Sequence, residues 1–325
     1  MRAVLRSKES VVFALFAAVF AVFALRTPNF ASPDNLFNVA RQYSELAVVS
    51  VGLTMIIITG GIDISVGSIV GLSSVMLGIF ALRLGLNIWA SCILATMTGL
   101  ACGLINGVFI TKLKVQPIVV TLAMMSAARG LALALTQGFS HSGFPDAFVG
   151  LGQTSIGSMP LSVPIALLIV IIGVIVLRRT PLGRGIYAVG SSEEATRLSG
   201  MDTFRLKMFA YGGTGLLCGL AGIMMAARLA SAVPDAGNGF EFEAITAVVL
   251  GGSSLKGGEG SIVGTIIGVA VMAILRNGLN LIGVPDNWQV LFLGVALILS
   301  VLADNLRQAL RKRRETRPQN IPGHP

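Results

Sequence analysis

Residues 161–177 read LSVPIALLIVIIGVIVL, seventeen positions without a charge, and they stop at Arg178-Arg179. A helix crossing the hydrocarbon core of a bilayer needs roughly 20 predominantly apolar residues, with a usable range from about 17. The run is apolar all the way round, so it has no polar face to turn toward water. A soluble protein buries such a helix under a charged exterior. This chain has little with which to build one: of its 325 residues 12% are charged and 54% hydrophobic, with 39 glycines. Soluble domains carry about 25% charged residues. The mean hydropathy of +0.82 agrees, and the surroundings of 161–177 must be lipid.

Outward from that run, similar spans lie at about 11–25, 46–58, 64–82, 88–110, 117–136, 208–227, 244–252, 262–275 and 288–303, and Arg129 is the one charge inside any of them. The expected fold is an all-α, polytopic integral membrane protein of about ten transmembrane helices. Residues 1–10 form a cytoplasmic N-terminus, 11–304 a single transmembrane domain and 305–325 a basic cytoplasmic tail. The start, Met1 to Lys8, has the charge of a signal peptide, but Leu25-Arg26-Thr27-Pro28 offers no small-x-small cleavage site, so the first span reads as a retained helix. With the N-terminus inside, 18 of the 24 Lys and Arg residues fall in cytoplasmic segments. That bias assigns an N-in/C-in topology.

Three spans, 46–58, 244–252 and 262–275, are short for ideal crossings, and two of them lead into Gly60-Gly61 and Gly251-Gly252. They are either broken helices near the midplane or longer helices whose limits are drawn too tightly. Residues 67–87 align without a gap to 260–280 with ten of 21 positions identical, from GSIVG at the start to LR-x-GLN at the end. This internal repeat implies duplicated halves, with both copies running in the same direction by the crossing count. Glycines four residues apart (Gly99, Gly103 and Gly107; Gly215 and Gly219) predict close helix packing in lipid.

Catalytic patterns are missing. Gly251 to Gly258, GGSSLKGG, lacks the Walker order, and the three cysteines and two histidines suggest neither a disulfide framework nor a metal site. The basic clusters sit between apolar runs, without interleaved aromatics, and do not suggest nucleic acid. Arg129 with Asp63 at a span edge makes a thin ion relay, so transport energy should come from elsewhere. The thirty residues Arg178 to Lys207 exceed the about 2–8 of a simple helix connection. Within them, Ser191-Ser192-Glu193-Glu194 reads as a capping box at Ser191 and Gly200 as a left-handed stop. The short helix between exposes Ala195, Leu198 and Ser199, a shape suited to a groove on a soluble partner; the plainer reading is a solvated loop.

Thr59-Gly60-Gly61-Ile62-Asp63-Ile64-Ser65-Val66-Gly67-Ser68 resembles the TGGIDLSVGS signature of ribose-type ATP-binding-cassette importer permeases. Asn106-Gly107 with Pro117 to Leu122, Gly183-Arg184 through Gly200, and Ala244 through Gly260 extend the likeness over about residues 35–304. Ile64 for the usual Leu and Met201 after Ser199-Gly200 are mild departures. The resemblance implies a multi-pass permease of the bacterial inner membrane for a monosaccharide or related polyol. It implies a second permease copy or paralogue, a cytoplasmic tandem ATPase carrying the ATP and magnesium, and a periplasmic sugar-binding protein that chooses the solute, with no cofactor on this chain. It also implies that Glu193, Glu194, Ala195, Leu198, Ser199 and Gly200 couple to the ATPase. Thr59, Gly60, Gly61, Asp63, Ser65, Gly251 and Gly252 are the candidates for the solute path, Asp63 being equally readable as a helix cap. Permeases for nucleosides or branched-chain amino acids, an ion-coupled carrier, and a non-transporting scaffold are the alternatives.

Overall fold

The computed structural model describes residues 8–156, 159–285, 287–292, 294–295, 298 and 301–302. Its helices are α1 (Lys8–Arg26), α2 (Pro33–Ile58), α3 (Val66–Gly78), α4 (Ile88–Thr111), α5 (Pro117–Thr136), α6 (Asp146–Gln153), α7 (Ser162–Arg179), α8 (Pro181–Ser191), α9 (Glu193–Leu198), α10 (Thr203–Leu229), α11 (Phe240–Leu250) and α12 (Ile262–Leu281). A π-helical turn over Ile79–Arg83 prolongs α3. Four two-residue strands make two small antiparallel pairs. His141–Ser142 (β1) pairs with Ser231–Ala232 (β4), and Ser155–Ile156 (β2) with Met159–Pro160 (β3).

Among the described residues eight helices are long and apolar enough to cross a membrane, against the ten spans read from the sequence. Two of the three short spans are full helices. Residues 46–58 are the inner half of α2, which starts at Pro33 because Ser32 caps it, its Oγ accepting from Asn35 N at 3.3 Å. Residues 262–275 continue to Leu281 because Arg276 and Asn277 have partners inside the protein. The third, α11, has only 11 residues and does not cross on its own. The tenth span, 288–303, lies only partly within the described residues, and the basic tail 305–325 lies outside them.

The innermost helices are α2, α3 and α10, whereas α1, α5 and α7 form the periphery. Leu167, Leu168, Ile171, Ile172 and Ile175 of α7 are exposed and form a lipid face. Helices α4 and α10 cross with Gly99 and Gly103 directly on Gly215 and Gly219. A methyl group on any of them would meet backbone of the other helix. Without a hydrophobic force between helices in lipid, such contact is what dispersion needs.

The two ends of the bundle are distinct. At one end Glu9 bonds Arg178 at 3.2 Å and Ser261 at 2.6 Å, and Gly258 N donates to Ile58 O at 2.8 Å. The Lys and Arg count makes this the cytoplasmic end. The outer end holds the β1–β4 pair, with Arg83 3.0 Å from His141 Nε2. Burial, and then the Arg83 guanidinium, hold His141 below its ordinary range, so Nε2 is available as the acceptor. Both copies of the repeat, opening α3 and α12, start at the cytoplasmic end and run outward.

Candidate functional site

Helix α10 ends at Ala230, in the left-handed region at φ 52°. The chain forms β4 and then passes along α3, where Gly78, Gly71 and Gly67 face Ala232, Pro234 and Gly237 in turn. Non-helical backbone at membrane depth is tolerated where protein covers it or where it borders water. Here both hold. One side of 231–239 packs on α3. The other borders a cavity of about 370 Å³ lined by Val39, Gln42, Tyr43 and Leu46 of α2, Met225 and Arg228 of α10, Ala236 and Asn238 of the irregular segment, Phe240 and Glu243 of α11, and Arg276, Asn277 and Asn280 of α12.

Charges at this cavity come in pairs. Arg228 Nε donates to Glu45 Oε1 at 2.8 Å, Arg276 Nη1 bonds Glu243 Oε1, and behind them Arg129 Nη2 stands 3.6 Å from Glu241. Two of the carboxylates belong to α11, which is therefore tied to α5 on one side and α12 on the other. The amides are also held: Asn35 and Asn277 exchange hydrogen bonds at 2.8 and 3.0 Å, and Gln289 donates to Asn280 at 2.6 Å. The result is a polar chamber with compensated charge and fixed donors and acceptors.

The residues proposed from sequence for the solute path lie elsewhere, near the cytoplasmic end. Asp63 is 1% exposed, and its Oδ1 accepts from Ser65 N at 2.8 Å and Ser65 Oγ at 2.5 Å, while Asn106 donates to Ser65 Oγ at 3.0 Å. That network holds the turn before α3, whose N-cap position is Ser65 and not Asp63 and carries no side-chain cap bond. Thr59 turns its hydroxyl back onto Ile56 O at 2.7 Å, and Gly61 packs beneath the Tyr211 hydroxyl. Gly251 lies against Gly264, and Gly252 takes up a left-handed turn at φ 94°. These residues meet the connection between α7 and α10. A methyl on Gly190 of α8 would collide with Ile58 O, and Tyr187 Oη donates to Gly260 O at 2.8 Å. Burial, against the pull of Arg178, keeps the Tyr187 phenol above its ordinary range and hence a donor.

Beyond Gly190, α9 stands out from the protein, with Leu198 76% exposed and Ala195, Ser199 and Gly200 exposed beside it. Its N-cap is Ser192, not Ser191: Ser192 Oγ accepts from Ala195 N at 3.2 Å, and Ser191 is the last residue of α8. The third helical position is thus Ala195, no capping box forms, and the helix has six residues. Glu193 and Glu194 remain at its positive end, and Glu193 also holds Lys207 at 2.6 Å. Gly200 ends it at φ 85°.

Residues 35–301 match the family described as branched-chain amino acid transport system / permease component. The chain belongs to that permease family. It is 41% identical over 297 residues to the ribose import permease protein RbsC of Escherichia coli K12, covering 89% of this chain and 91% of the relative. The RbsC of Bacillus subtilis 168 is 40% identical over 297 residues, covering 91% and 92%. The autoinducer 2 import system permease protein LsrC of Yersinia enterocolitica is 33% identical over 322 residues, covering 96% and 89%. No solved structure matches the chain. It is thus a multi-pass membrane subunit of a bacterial ATP-binding-cassette importer, a transport component that works with ATPase and binding-protein partners.

In this permease the sequence reading missed the cavity residues. Glu45 precedes the span drawn at 46, Arg228 follows 227, Glu243 precedes 244 and Arg276 follows 275. Each of these four limits falls at a charge, so each of these charges lies just outside a span. Arg129, the one charge inside a span, stands beside the buried carboxylate of Glu241.

Proposed function

We propose that this permease carries a neutral monosaccharide inward, with ribose the first candidate, by way of the cavity between α2, α10, α11 and α12. The observation that carries the reading is charge compensation: Arg228 and Arg276 line the cavity, and each is already bonded to a glutamate. A solute with a phosphate or a free carboxylate would meet guanidiniums whose charge a glutamate already answers, and its own charge would enter the cavity uncompensated. A polyol needs only donors and acceptors. The names of the ribose import relatives support the same solute class. The energy is ATP hydrolysis on a partner ATPase that holds the nucleotide and magnesium and seats on α8–α9, with a second permease subunit and a periplasmic binding protein completing the importer.

Reconstitution of the permease with the ATPase and binding protein tests the reading. Uptake of labelled D-ribose should require ATP and persist in the presence of proton and sodium uncouplers. Uptake of leucine instead of any pentose, or ribose uptake abolished by the uncouplers, would overturn it.

A further inference from the structure

Four side-chain amides line the cavity, and apart from Asn277, which is paired with Asn35, they come from three elements: Gln42 on α2, Asn238 on the segment before α11, and Asn280 on α12. All three residues are exposed to it. Each amide offers both donor and acceptor atoms, the pairing a sugar hydroxyl requires. Asn280 takes the Gln289 donor on its carbonyl, which leaves its NH₂ for the cavity. Asn238 is set by Gly239, whose φ of 82° turns the chain into α11. The Glu243–Arg276 pair adds a fixed acceptor and donor, and Tyr43 and Phe240 supply the apolar faces that cover a sugar's C–H surface. A passage that merely lets polar solutes through does not need amides brought to it from three elements. The volume is also of a ligand site's size, such sites running about 300–1,000 Å³.

We infer that the permease has a stereoselective sugar site of its own, read by Gln42, Asn238 and Asn280, and does not leave the choice of solute wholly to the binding protein. The inference rests on the proposed sugar-transport role. A site that pairs each hydroxyl rejects an epimer because a polar group that the bound sugar shields from water is then left unpaired. Selection at the permease therefore adds a second reading of the solute after delivery.

The test uses the permease–ATPase complex in nanodiscs without binding protein, titrated by equilibrium dialysis with D-ribose, D-xylose and L-arabinose. One pentose should bind at about millimolar Kd, with at least one epimer about tenfold weaker. Asn238→Leu and Asn280→Leu should flatten that ranking to about twofold or less, Asn238→Gln should keep part of it, and sugar-free melting should match wild type in the variants compared. Equal binding of the three pentoses, an unchanged ranking in both leucine variants, or no pentose binding overturns the site. If the complex still imports D-ribose with its binding protein, the transport role survives that failure. A complex that imports no pentose at all overturns the role beneath it as well.

Discussion

Glu45 is fully buried in α2 and its charge is answered by a single guanidinium, Arg228. Removing one member of a buried pair leaves the other unpaired, at about 3–5 kcal/mol, whereas replacing both with apolar side chains is often neutral. Glu45→Leu should therefore lower the melting temperature of the purified permease, and Glu45→Leu with Arg228→Met should recover most of it; calorimetry of both checks this, and an equally unstable double variant would deny that the charge pairing matters. Asp63 is a different case. Its hydrogen bonds go to Ser65 and to Asn106 beside it, so Asp63→Asn weakens charge-assisted contacts by about 1 kcal/mol each without touching the cavity. Uptake per folded molecule should stay at the wild-type rate, and a large loss of rate at normal folded yield would place Asp63 on the solute path. The sequence allowed both roles for this carboxylate, because a capping acid and a pathway acid at a span edge look alike until their neighbours are known.

At the level of helices, span number and helix content were largely legible because apolar length is a strong signal in a bilayer. The glycine seam of α4 and α10 was legible too, since spacing on one face survives folding unchanged. What the sequence hid was compensation across elements. Arg276 alone argues for the end of α12, and only its pairing with Glu243, 33 residues earlier, lets the helix go on. Likewise Ser191 and Ser192 offer adjacent caps, and the choice follows from α8, which keeps Ser191 by bonding its hydroxyl to Tyr187 O at 3.0 Å. The junction at Gly190 is where α8 touches both the end of α2 and the connection after α11. Gly190→Ala would push its methyl into Ile58 O and strain the Gly258 N–H bond to the same oxygen, a collision worth about 1–3 kcal/mol. Gly213→Ala in α10 has open space around its Cβ and should be neutral or stabilise by up to about 1 kcal/mol. Melting curves of the two variants should separate accordingly, and equal midpoints would mean that the junction yields freely.

Over the whole molecule, the cavity and the exposed helix α9 stand toward opposite ends, and continuous backbone contact lies between them. Helix α9 follows directly on α8, α8 rests on Ile58 and Gly258, and the segment holding Gly258 continues from α11, whose other end carries Glu241 and Glu243. A partner that moves α9 thus acts on an element that borders the cavity, the physical arrangement that an importer driven by ATP needs. Leu198 isolates the partner's share of this scheme. In the permease alone it is 76% exposed, so Leu198→Asp should change intrinsic stability by less than about 0.5 kcal/mol. Against a docked ATPase the same substitution puts a desolvated carboxylate into an apolar seat, and truncation of well-buried contacts in such seats commonly costs about 2 kcal/mol or more, roughly thirtyfold in affinity. The expected result is a variant that reaches the membrane in normal amount and melts like wild type, yet loses the ATPase on co-purification and with it ATP-driven uptake. Glu193 is the less clean probe, because Lys207 already holds it and its loss disturbs the permease itself. Undiminished recovery of the ATPase with Leu198→Asp, together with wild-type uptake, would move the docking surface off α9.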